Sequence, residues 1–182
     1  MNIHSIQAMV CATALLLSTS AQAGGLEGRG SDQVIALGLP ALAGAITLAQ
    51  QDDEGFWMLA KTMGTSFVTT EALKYATHDT DWGIRPNGDD YAFPSGHTST
   101  ACAGAAFIGQ RYGWRYGSAA LLPAAYVGWS RVDQDLHHVR DVVVGCALGV
   151  ISGLYFTQPK TGTTVTPFLD RQVWGVQIQS VW

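Results

Sequence analysis

Apolar residues along this 182-residue chain fall into long segments that are separated by short polar turns. The first segment carries no charge between Asp32 and Asp52, a length close to the ~20 residues of a membrane-spanning helix, and Pro40 is expected to kink it. The second segment, Phe56–Thr77, also carries charges, which favours a helix packed against others. Its apolar stripe consists of Phe56, Leu59, Met63, Phe67 and Leu73. Three further helices are predicted, from Pro94 to about Tyr112, over Gly117–Ser130, and from about His137 to Phe156.

Residues 161–182 have a different pattern from the helical part. Apolar and polar residues alternate over Val173–Trp182, which indicates a strand, and Thr163–Thr166 supplies a second short extended run. A small C-terminal β-hairpin is therefore expected. The fold class that follows is all-α, a bundle of about five to six helices over residues 24–160, with the hairpin as a tail.

Residues 1–23 resemble an export signal peptide. An apolar stretch over Ala8–Leu17 precedes Ala21-Gln22-Ala23, which has the small-x-small form of a cleavage site. A retained first membrane helix is the alternative, although the apolar stretch is short against the ~20 residues that a span needs. Both interpretations place the next residues outside the cytoplasm. We therefore expect a cell-envelope protein, either in the inner membrane with its active site facing the periplasm or soluble in the periplasm.

Charge is scarce in this chain. Charged residues make up 13% of the sequence, about half of the ~25% typical of soluble globular chains, so much of the surface is expected to face lipid or a helix–helix interior. The net charge is −4 and the sequence has no long basic run, which argues against nucleic acid as a partner.

Cys102 and Cys146 lie in apolar helical segments and are expected to be buried apolar residues. Export would allow a disulfide between them, but nothing in the sequence predicts one.

The candidate chemistry begins with His137 and Asp141. At positions i and i+4 of a helix start, the two side chains lie on one face. A carboxylate that accepts the proton of one imidazole nitrogen fixes the tautomer and leaves the other nitrogen as a nucleophile. Alone, such a pair is more often an ordinary surface contact. Arg131, six residues upstream, and two further motifs favour catalysis here.

A second histidine, His97, follows Pro94-Ser95-Gly96 at a predicted helix N-terminus. Ser95 can cap the helix, and Gly96 lets a ligand approach the backbone, where free N–H groups and the helix dipole favour an anion. His97 is then placed to protonate a leaving oxygen. In isolation, Pro-Ser-Gly-His is also an ordinary turn and cap.

Lys74, Arg85 and Arg131 are the candidate ligands for the non-bridging oxygens of a phosphate group. Arginine binds an oxyanion with a fork of donors, and lysine binds it as a point charge. Charge that builds up on a transferring phosphoryl group would be stabilised by these cations. Each alone would be a solvated surface charge, but the chain has ten Lys and Arg in total and three of them lie in these motifs.

Together these residues resemble the type 2 phosphatidic acid phosphatase (PAP2) superfamily. Its pattern is Lys-x6-Arg-Pro, then Pro-Ser-Gly-His, then Ser-Arg-x5-His-x3-Asp. The second motif stands here as Pro94-Ser95-Gly96-His97, and the third as Ser130-Arg131, His137 and Asp141. The resemblance covers roughly Phe56–Phe156, so both ends of the chain lie outside it.

The first motif departs from the family pattern. Ten residues, not six, separate Lys74 from Arg85. Either the loop is four residues longer, or Lys74 is not the matching lysine. No other lysine fits better, because Lys61 is further away.

The resemblance implies a metal-independent phosphatase with a helical bundle of the PAP2 and haloperoxidase type. His137 would attack phosphorus and form phosphohistidine, oriented by Asp141, and His97 would protonate the leaving group. The residues that would bind the phosphate are Lys74, Arg85, Ser95, Gly96 and Arg131. No cofactor is implied. The acidic residues of the loop are also not arranged as a recognisable metal loop: Asp79, Asp81, Asp89 and Asp90.

The family also sets the candidate substrates and the alternatives. A membrane enzyme would act on a phosphorylated lipid: isoprenyl pyrophosphate, phosphatidic acid, phosphatidylglycerol phosphate or lipid A. Low charge favours this class, with membrane association. The export signal and the mean hydropathy of +0.13 favour instead a soluble periplasmic acid phosphatase of broad specificity that acts on small phosphate esters. A vanadate-dependent haloperoxidase and a non-catalytic envelope protein are weaker alternatives.

Overall fold

Five helices make up residues 31–160 of the structure, a computed structural model that describes this range and the backbone of two later strands. The helices are α1 (Ser31–Ala49), α2 (Asp53–Thr77), α3 (Gly96–Tyr112), α4 (Trp114–Asp133) and α5 (Val139–Phe156). They form the all-α bundle that the apolar segments predict. The first of them continues as a helix through Pro40, where the sequence predicts a kink. The predicted export signal lies outside the described residues.

The helix ends are set by local contacts. At the start of α2 the N–H of Gly55 donates to Oδ1 of Asp52 at 3.0 Å, which caps the helix. Helix α3 ends at Gly113, whose φ of 108° lies in the region that favours glycine, and α4 begins at the next residue. This tight connection explains why α4 begins earlier than the predicted Gly117.

Helix α3 lies at the centre of the described bundle and packs against all four other helices. Its inward residues are mostly small: Ala101, Ala103, Ala105 and Ala106 have no exposed surface, and Phe107 adds one fully buried ring. Small side chains let helix backbones approach each other closely. The bundle is therefore held by close contacts around α3 rather than by a thick layer of large side chains.

Helix α5 approaches α3 through three buried glycines at every fourth residue, Gly145, Gly149 and Gly153. A Cβ atom added at Gly149 would meet the carbonyl oxygen of Ser99 and lie 2.7 Å from the backbone nitrogen of Ala103. These glycines, the α5 glycine stripe, leave no side-chain layer between the two helices. They therefore set the distance between the helices that carry His97 and Asp141.

Cys102 of α3 and Cys146 of α5 form a disulfide, with their Cα atoms 5.2 Å apart. The sequence predicts two separate apolar residues here, and that interpretation is wrong. No spacing pattern reveals the bond, because it depends on the close approach of segments that are 44 residues apart in the chain. The disulfide adds a covalent link to the interface that the α5 glycine stripe forms.

The inward face of α2 combines part of the predicted apolar stripe, Phe56 and Leu59, with small polar residues. Thr62, Ser66 and Thr70 are buried, and the hydroxyl of Ser66 lies 2.6 Å from that of Ser99 in α3. Phe67, a member of the predicted stripe, is 40% exposed. Hydrogen-bonded small residues inside and large apolar residues outside are typical of helices that pack within lipid.

Large apolar side chains also cover the outside of other helices. Leu42 of α1 and Ile151 and Tyr155 of α5 are exposed. In the described part of the chain, two helices are long and apolar enough to cross a membrane, Asp32–Ala49 and Val139–Phe156, with 33% and 28% of these spans buried. Most of both spans thus faces outward. Extended apolar surfaces of this kind mark contact with a membrane or another protein.

A buried ion pair fastens the end of the bundle where α1 meets α2. Arg111 donates from Nη2 to Oδ1 of Asp52 at 2.6 Å and from Nε to Oδ2 at 2.9 Å, and its Nη1 donates to the carbonyl of Gln158 at 2.9 Å. The bidentate contact with Arg111 holds the pKa of Asp52 down at about 2. Arg111 is buried in the last turn of α3 and ties that helix to the α1–α2 turn and to the segment that follows α5.

Two strands follow the helices, β1 (Thr163–Leu169) and β2 (Trp174–Ser180). They pair antiparallel, with Thr163 opposite Ser180. Residues 170–173 between them lie outside the described residues. The hairpin tail and the domain limits at residues 24 and 160 therefore stay predictions.

Replacing Gly149 with Val should push α5 away from α3, because the added carbon atoms would overlap the backbone of Ser99 and Ala103. We expect a loss of about 2 kcal/mol or more of unfolding free energy, seen as a lower thermal midpoint in detergent. Gly64→Ala in α2 is the matched control, because a Cβ there meets nothing within 4 Å and replacing an interior helical glycine stabilises by about 0.5–1 kcal/mol. Equal midpoints for the two variants would show that the stripe does not set the helix approach.

Candidate active site

The chemical motifs come together at one end of the bundle. Helices α2 and α4 end there and α1, α3 and α5 begin there, so five helix ends and two loops surround one site. The motif residues are Lys74 in the last turn of α2, Arg85 in the loop over residues 78–95, Ser95, Gly96 and His97 at the start of α3, Arg131 in the last turn of α4, His137 in the following loop, and Asp141 in the first turn of α5. The α5 glycine stripe holds the two histidine-bearing segments against each other.

His137 and Asp141 are fully enclosed, at 1% and 0% exposure. Nδ1 of His137 lies 3.6 Å from Oδ2 of Asp141, which is an electrostatic contact and too long for a hydrogen bond. Burial lowers the pKa of His137 to about 4; Asp141 opposes this shift, while Arg85, Arg131 and Lys74 add to it. The imidazole is therefore neutral over most of the pH range. Since Nδ1 faces the carboxylate, Nε2 is the nitrogen available for chemistry.

Backbone hydrogen bonds fix Asp141 against the start of α3. Its Oδ2 accepts from the N–H of His138 at 2.8 Å, and its carbonyl accepts from the N–H of Ser95 at 2.9 Å. A Cβ on Gly145, one turn further along α5, would meet the carbonyl oxygen of Ser95. The second and third motifs are thus joined directly through their backbones.

Ser95 and His97 occupy the N-terminal turn of α3 and are both buried. Ser95 is at the capping position, but its hydroxyl lies 2.9 Å from that of Thr98 and does not cap a backbone N–H, so the predicted side-chain cap is wrong. Burial, Arg131 and His137 lower the pKa of His97 to about 3, against a weaker opposing effect of Asp32. Without an anion, His97 is therefore neutral.

Lys74 lies against Gly96 despite its unusual spacing from Arg85. Its Nζ is 3.9 Å from the position that a Cβ on Gly96 would take, and it donates to the carbonyl of Tyr91 at 3.4 Å. The longer loop between the two halves of the first motif still lets this lysine reach the start of α3. A Cβ at Gly96 would make only ordinary van der Waals contact with the Lys74 side chain.

Arg85 is held by the turns of its loop. Its N–H donates to the carbonyl of Asp89 at 2.8 Å, and its carbonyl accepts from Gly88 at 2.9 Å. The N–H of Asn87 donates to the carbonyl of Asp135 at 3.2 Å, which ties this loop to the one that precedes His137. The guanidinium of Arg85 is thus presented to the site by a braced loop.

Unpaired buried polar atoms gather in this site. Within the described residues, five buried side-chain atoms have no hydrogen-bond partner: Oδ1 of Asp32, Nε of Arg85, Nε of Arg131, Nδ1 of His137 and Oδ1 of Asp141. Buried polar groups in folded proteins nearly always have partners. Two of these atoms are guanidinium donors, which suit an oxyanion. The unpaired Nε groups of Arg85 and Arg131 could therefore donate to an anionic ligand.

Two residues of this region were missed by sequence reasoning. Asp32, at the start of α1, is fully buried and its Oδ2 accepts from Nη1 of Arg131 at 2.9 Å. Arg140 stacks on Trp82 at 5.1 Å and brings its Nε to 3.5 Å from Oδ1 of Asp141. Neither has a sequence signal: Asp32 marks only the start of an apolar segment, and Arg140 lies in the spacer of the third motif.

The remaining candidates lie apart from the site or form no ligand set. His78 pairs with Asp79 at 3.0 Å and stacks on Tyr91, with ring centroids 5.5 Å apart. Among the described residues, no group of three or more His, Cys, Asp or Glu side chains is close enough together to hold a metal ion.

Curated relatives resemble this chain over part of their length. It is 31% identical to a lipid A 1-phosphatase of Helicobacter pylori strain 26695 over 126 residues, 65% of each chain. A lipid A 4'-phosphatase of H. pylori strain J99 is 30% identical over 115 residues, 59% of this chain and 58% of that one. The alignment therefore covers less than two thirds of these relatives.

A solved structure shares the fold. The transmembrane PAP2-type phosphatidylglycerolphosphate phosphatase of Bacillus subtilis superimposes with a TM-score of 0.51 at 20% identity, over 86% of this chain and 85% of that one. The family model for the PAP2 superfamily matches residues 55–161, a range that includes all three motifs and more than half of the chain. The chain belongs to the PAP2 superfamily.

Proposed function

We propose that this protein is a phosphatase that removes phosphomonoester or pyrophosphate groups from a lipid through a phosphohistidine intermediate. One observation carries the proposal: two buried histidines, a buried carboxylate, two arginines that each keep an unpaired Nε among the described residues, and Lys74 lie together at one end of the bundle. The curated relatives are named as lipid A phosphatases, which supports a phosphorylated lipid as the substrate class.

In the proposed first step, Nε2 of neutral His137 attacks phosphorus. The N–P bond forms as the bond from phosphorus to the leaving oxygen breaks, and His97 donates a proton to that oxygen. Asp141 stabilises the positive charge that the His137 ring acquires. Lys74, Arg85 and Arg131, together with the backbone at Ser95 and Gly96, bind the non-bridging oxygens as their charge develops.

In the second step, water takes the place of the leaving group. His97, now neutral, accepts a proton from the water as its oxygen attacks phosphorus and the N–P bond breaks. Phosphate leaves and His137 is neutral again. In both steps the nucleophile and the acid–base group are the side chains of His137 and His97.

His97 must carry a proton for the first step, although burial and the charge of Arg131 lower its pKa to about 3. A bound phosphate dianion would offset the cations around it and favour the charged imidazole. We infer that His97 becomes protonated only when the phosphate is bound, so that substrate binding produces the protonated general acid.

A lipid substrate is favoured by where the site lies. The two apolar spans, Asp32–Ala49 and Val139–Phe156, both begin at the site end of the bundle. In a bilayer this would put the site at the level of the phosphate headgroups, where polar groups meet the ~30 Å hydrocarbon layer. A lipid phosphate would then reach the cations while its chains remain in the membrane.

An apolar groove beside the site also fits a lipid chain. It has a volume of about 360 Å³ and lies between α3, α4 and α5. Its lining includes Thr98 and Val142, the residues that follow His97 and Asp141, and continues over Leu121, Ala124 and Val143. We propose that an acyl or isoprenyl chain lies there.

We further propose that the protein belongs to the cell envelope, in the inner membrane with its site on the periplasmic side. The Cys102–Cys146 disulfide supports an oxidising compartment, and residues 1–23 resemble an export signal. The remaining alternative is a soluble periplasmic phosphatase of broad specificity.

The substrate class can be tested with the purified protein in detergent. Phosphate release should be faster, by about tenfold or more in kcat/KM, for lipid A, an isoprenyl pyrophosphate or phosphatidic acid than for p-nitrophenyl phosphate, because apolar contacts outside the phosphate add about 1.4 kcal/mol per tenfold. Comparable rates for p-nitrophenyl phosphate would favour the broad periplasmic enzyme. No release from any of these by folded protein would contradict the phosphatase proposal.

Replacing His137 with Ala should remove the nucleophile and lower kcat by about 10⁴-fold or more. His97→Ala should lower it by about 10²–10⁴-fold, the usual contribution of a general acid. Rapid quench with radiolabelled substrate should show a phosphoprotein in the wild type and none in His137→Ala. His78→Ala is the matched control and should keep wild-type turnover. Turnover that survived in His137→Ala would rule out the nucleophile assignment.

The acid limb of the profile of kcat/KM against pH should lie below the pKa of an unperturbed histidine. His137 attacks only when neutral, and its pKa is lowered to about 4, so kcat/KM should fall as the pH drops through about 4. Arg85→Gln removes one of the charges that lower this pKa, so its acid limb should move to higher pH. An acid limb near 6.5 in the wild type, the value of an unperturbed histidine, would contradict this assignment.

A further inference from the structure

The residue that most needs an explanation is Asp32. Its side chain is 1% exposed, and it lies at the beginning of α1, outside the three motifs and outside the matched family range. An ionised carboxylate is buried only where it is paired. Here the partner is Arg131, a proposed phosphate ligand, across 99 residues of sequence.

Asp32 accepts a hydrogen bond from one edge of the Arg131 guanidinium and does not contact the Nε edge. Nη1 donates to Oδ2 of Asp32 at 2.9 Å, while Nε is buried without a hydrogen-bond partner among the described residues. A guanidinium offers five donors in a rigid planar fork, so fixing one nitrogen fixes the direction of the others. The Nε edge is then held in one orientation before any anion arrives.

We propose that Asp32 is a positioning residue of the active site, which aims the Nε edge of Arg131 at the transferring phosphoryl group. This inference rests on the proposed phosphatase function. Without Asp32, Arg131 would turn toward any nearby acceptor, and the site would have to align it during the reaction. Helix α1 would then belong to the catalytic unit, although no motif lies on it.

Asp32 also acts on the proposed acid. The charged groups that act on His97 come from four elements: Asp32 on α1, Lys74 on α2, Arg131 on α4, and His137 in the loop before α5. Of these only Asp32 favours the protonated imidazole. Its carboxylate therefore supports the protonated state that His97 needs and orients the cation that binds the substrate.

The test compares Asp32→Asn with the wild type. Asparagine keeps the size and one oxygen acceptor but removes the charge. We expect kcat to fall by about 100-fold, the effect of a small misalignment of a catalytic group. KM should stay within about threefold, because removing a negative charge from an anion site does not weaken ground-state attraction. The basic limb of the kcat profile should move to lower pH, because His97 loses the favourable effect of the Asp32 carboxylate.

Two anions provide a readout that needs no turnover. Inorganic phosphate should bind Asp32→Asn about as tightly as the wild type. Vanadate, which takes up the five-coordinate geometry of the transition state, should bind about tenfold more weakly. If the wild-type protein hydrolyses no phosphate ester, the proposed function fails, but this pair of affinities still decides the role of Asp32.

The control is Asp53→Asn, which removes a carboxylate from the first turn of α2 at the opposite end of the bundle. It should leave kcat, the pH profile and both affinities unchanged. Wild-type kcat and vanadate affinity in folded Asp32→Asn would overturn the proposal. An equal loss of phosphate and vanadate binding would also overturn it, because that pattern indicates a structural role. If Asp32→Asn does not fold, Asp32→Glu keeps the charge but moves it, and wild-type kcat in that variant would overturn the proposal.

Discussion

The close approach of α3 and α5 is the constraint on which the rest of the structure depends. The first turn of α3 carries His97, the proposed acid, and the first turn of α5 carries Asp141, next to His137, the proposed nucleophile. Gly145 and Gly149 remove the side-chain layer between these helices, and the N–H of Ser95 then reaches the carbonyl of Asp141 at 2.9 Å. If α3 and α5 lay further apart, His97 and His137 could not both reach one phosphate group. The disulfide lies along the same interface, which is why two cysteines without a spacing pattern come into bonding distance.

Buried polar groups in proteins are normally paired, but two charged groups of this site are not fully paired. Arg85 and Arg131 each keep a buried Nε without a partner among the described residues, and these cations lower the pKa of His137. Unpaired donors cost free energy on folding, and the anion that binds there recovers it. A site of this kind binds an oxyanion strongly because its donors are already desolvated and oriented. Asp32 limits the cost by neutralising Arg131 without covering the edge that faces the ligand.

The sequence predicts the helices well, because apolar segments of helical length and Pro, Gly and Asp at their ends are local signals. It also names the residues that converge, since the spacing of Pro94-Ser95-Gly96-His97 and of Arg131, His137 and Asp141 is specific. It does not predict contacts that depend on packing between distant segments. The pairing of Asp32 with Arg131, the Cys102–Cys146 bond and the burial of Arg111 against Asp52 are of this type. The predicted apolar stripe of α2 is only partly right, because Phe56 and Leu59 are buried whereas Phe67 is 40% exposed.

The distribution of polar groups on α2 bears on what surrounds the protein. Ser66 and Thr70 contact Ser99 of α3, which accepts a hydrogen bond from Thr70 at 3.0 Å. The hydroxyl of Thr62 lies 3.4 Å from that of Thr157, just after α5, whereas Trp57 and Phe67 face outward. In water this arrangement would expose large rings and bury hydroxyl groups, a double cost. In lipid both costs disappear, because rings are solvated by chains and hydroxyl groups find partners only inside. The same medium agrees with the position of the candidate site, which lies where both apolar spans begin. In a membrane, a charged pocket is stable at the interface rather than within the hydrocarbon layer.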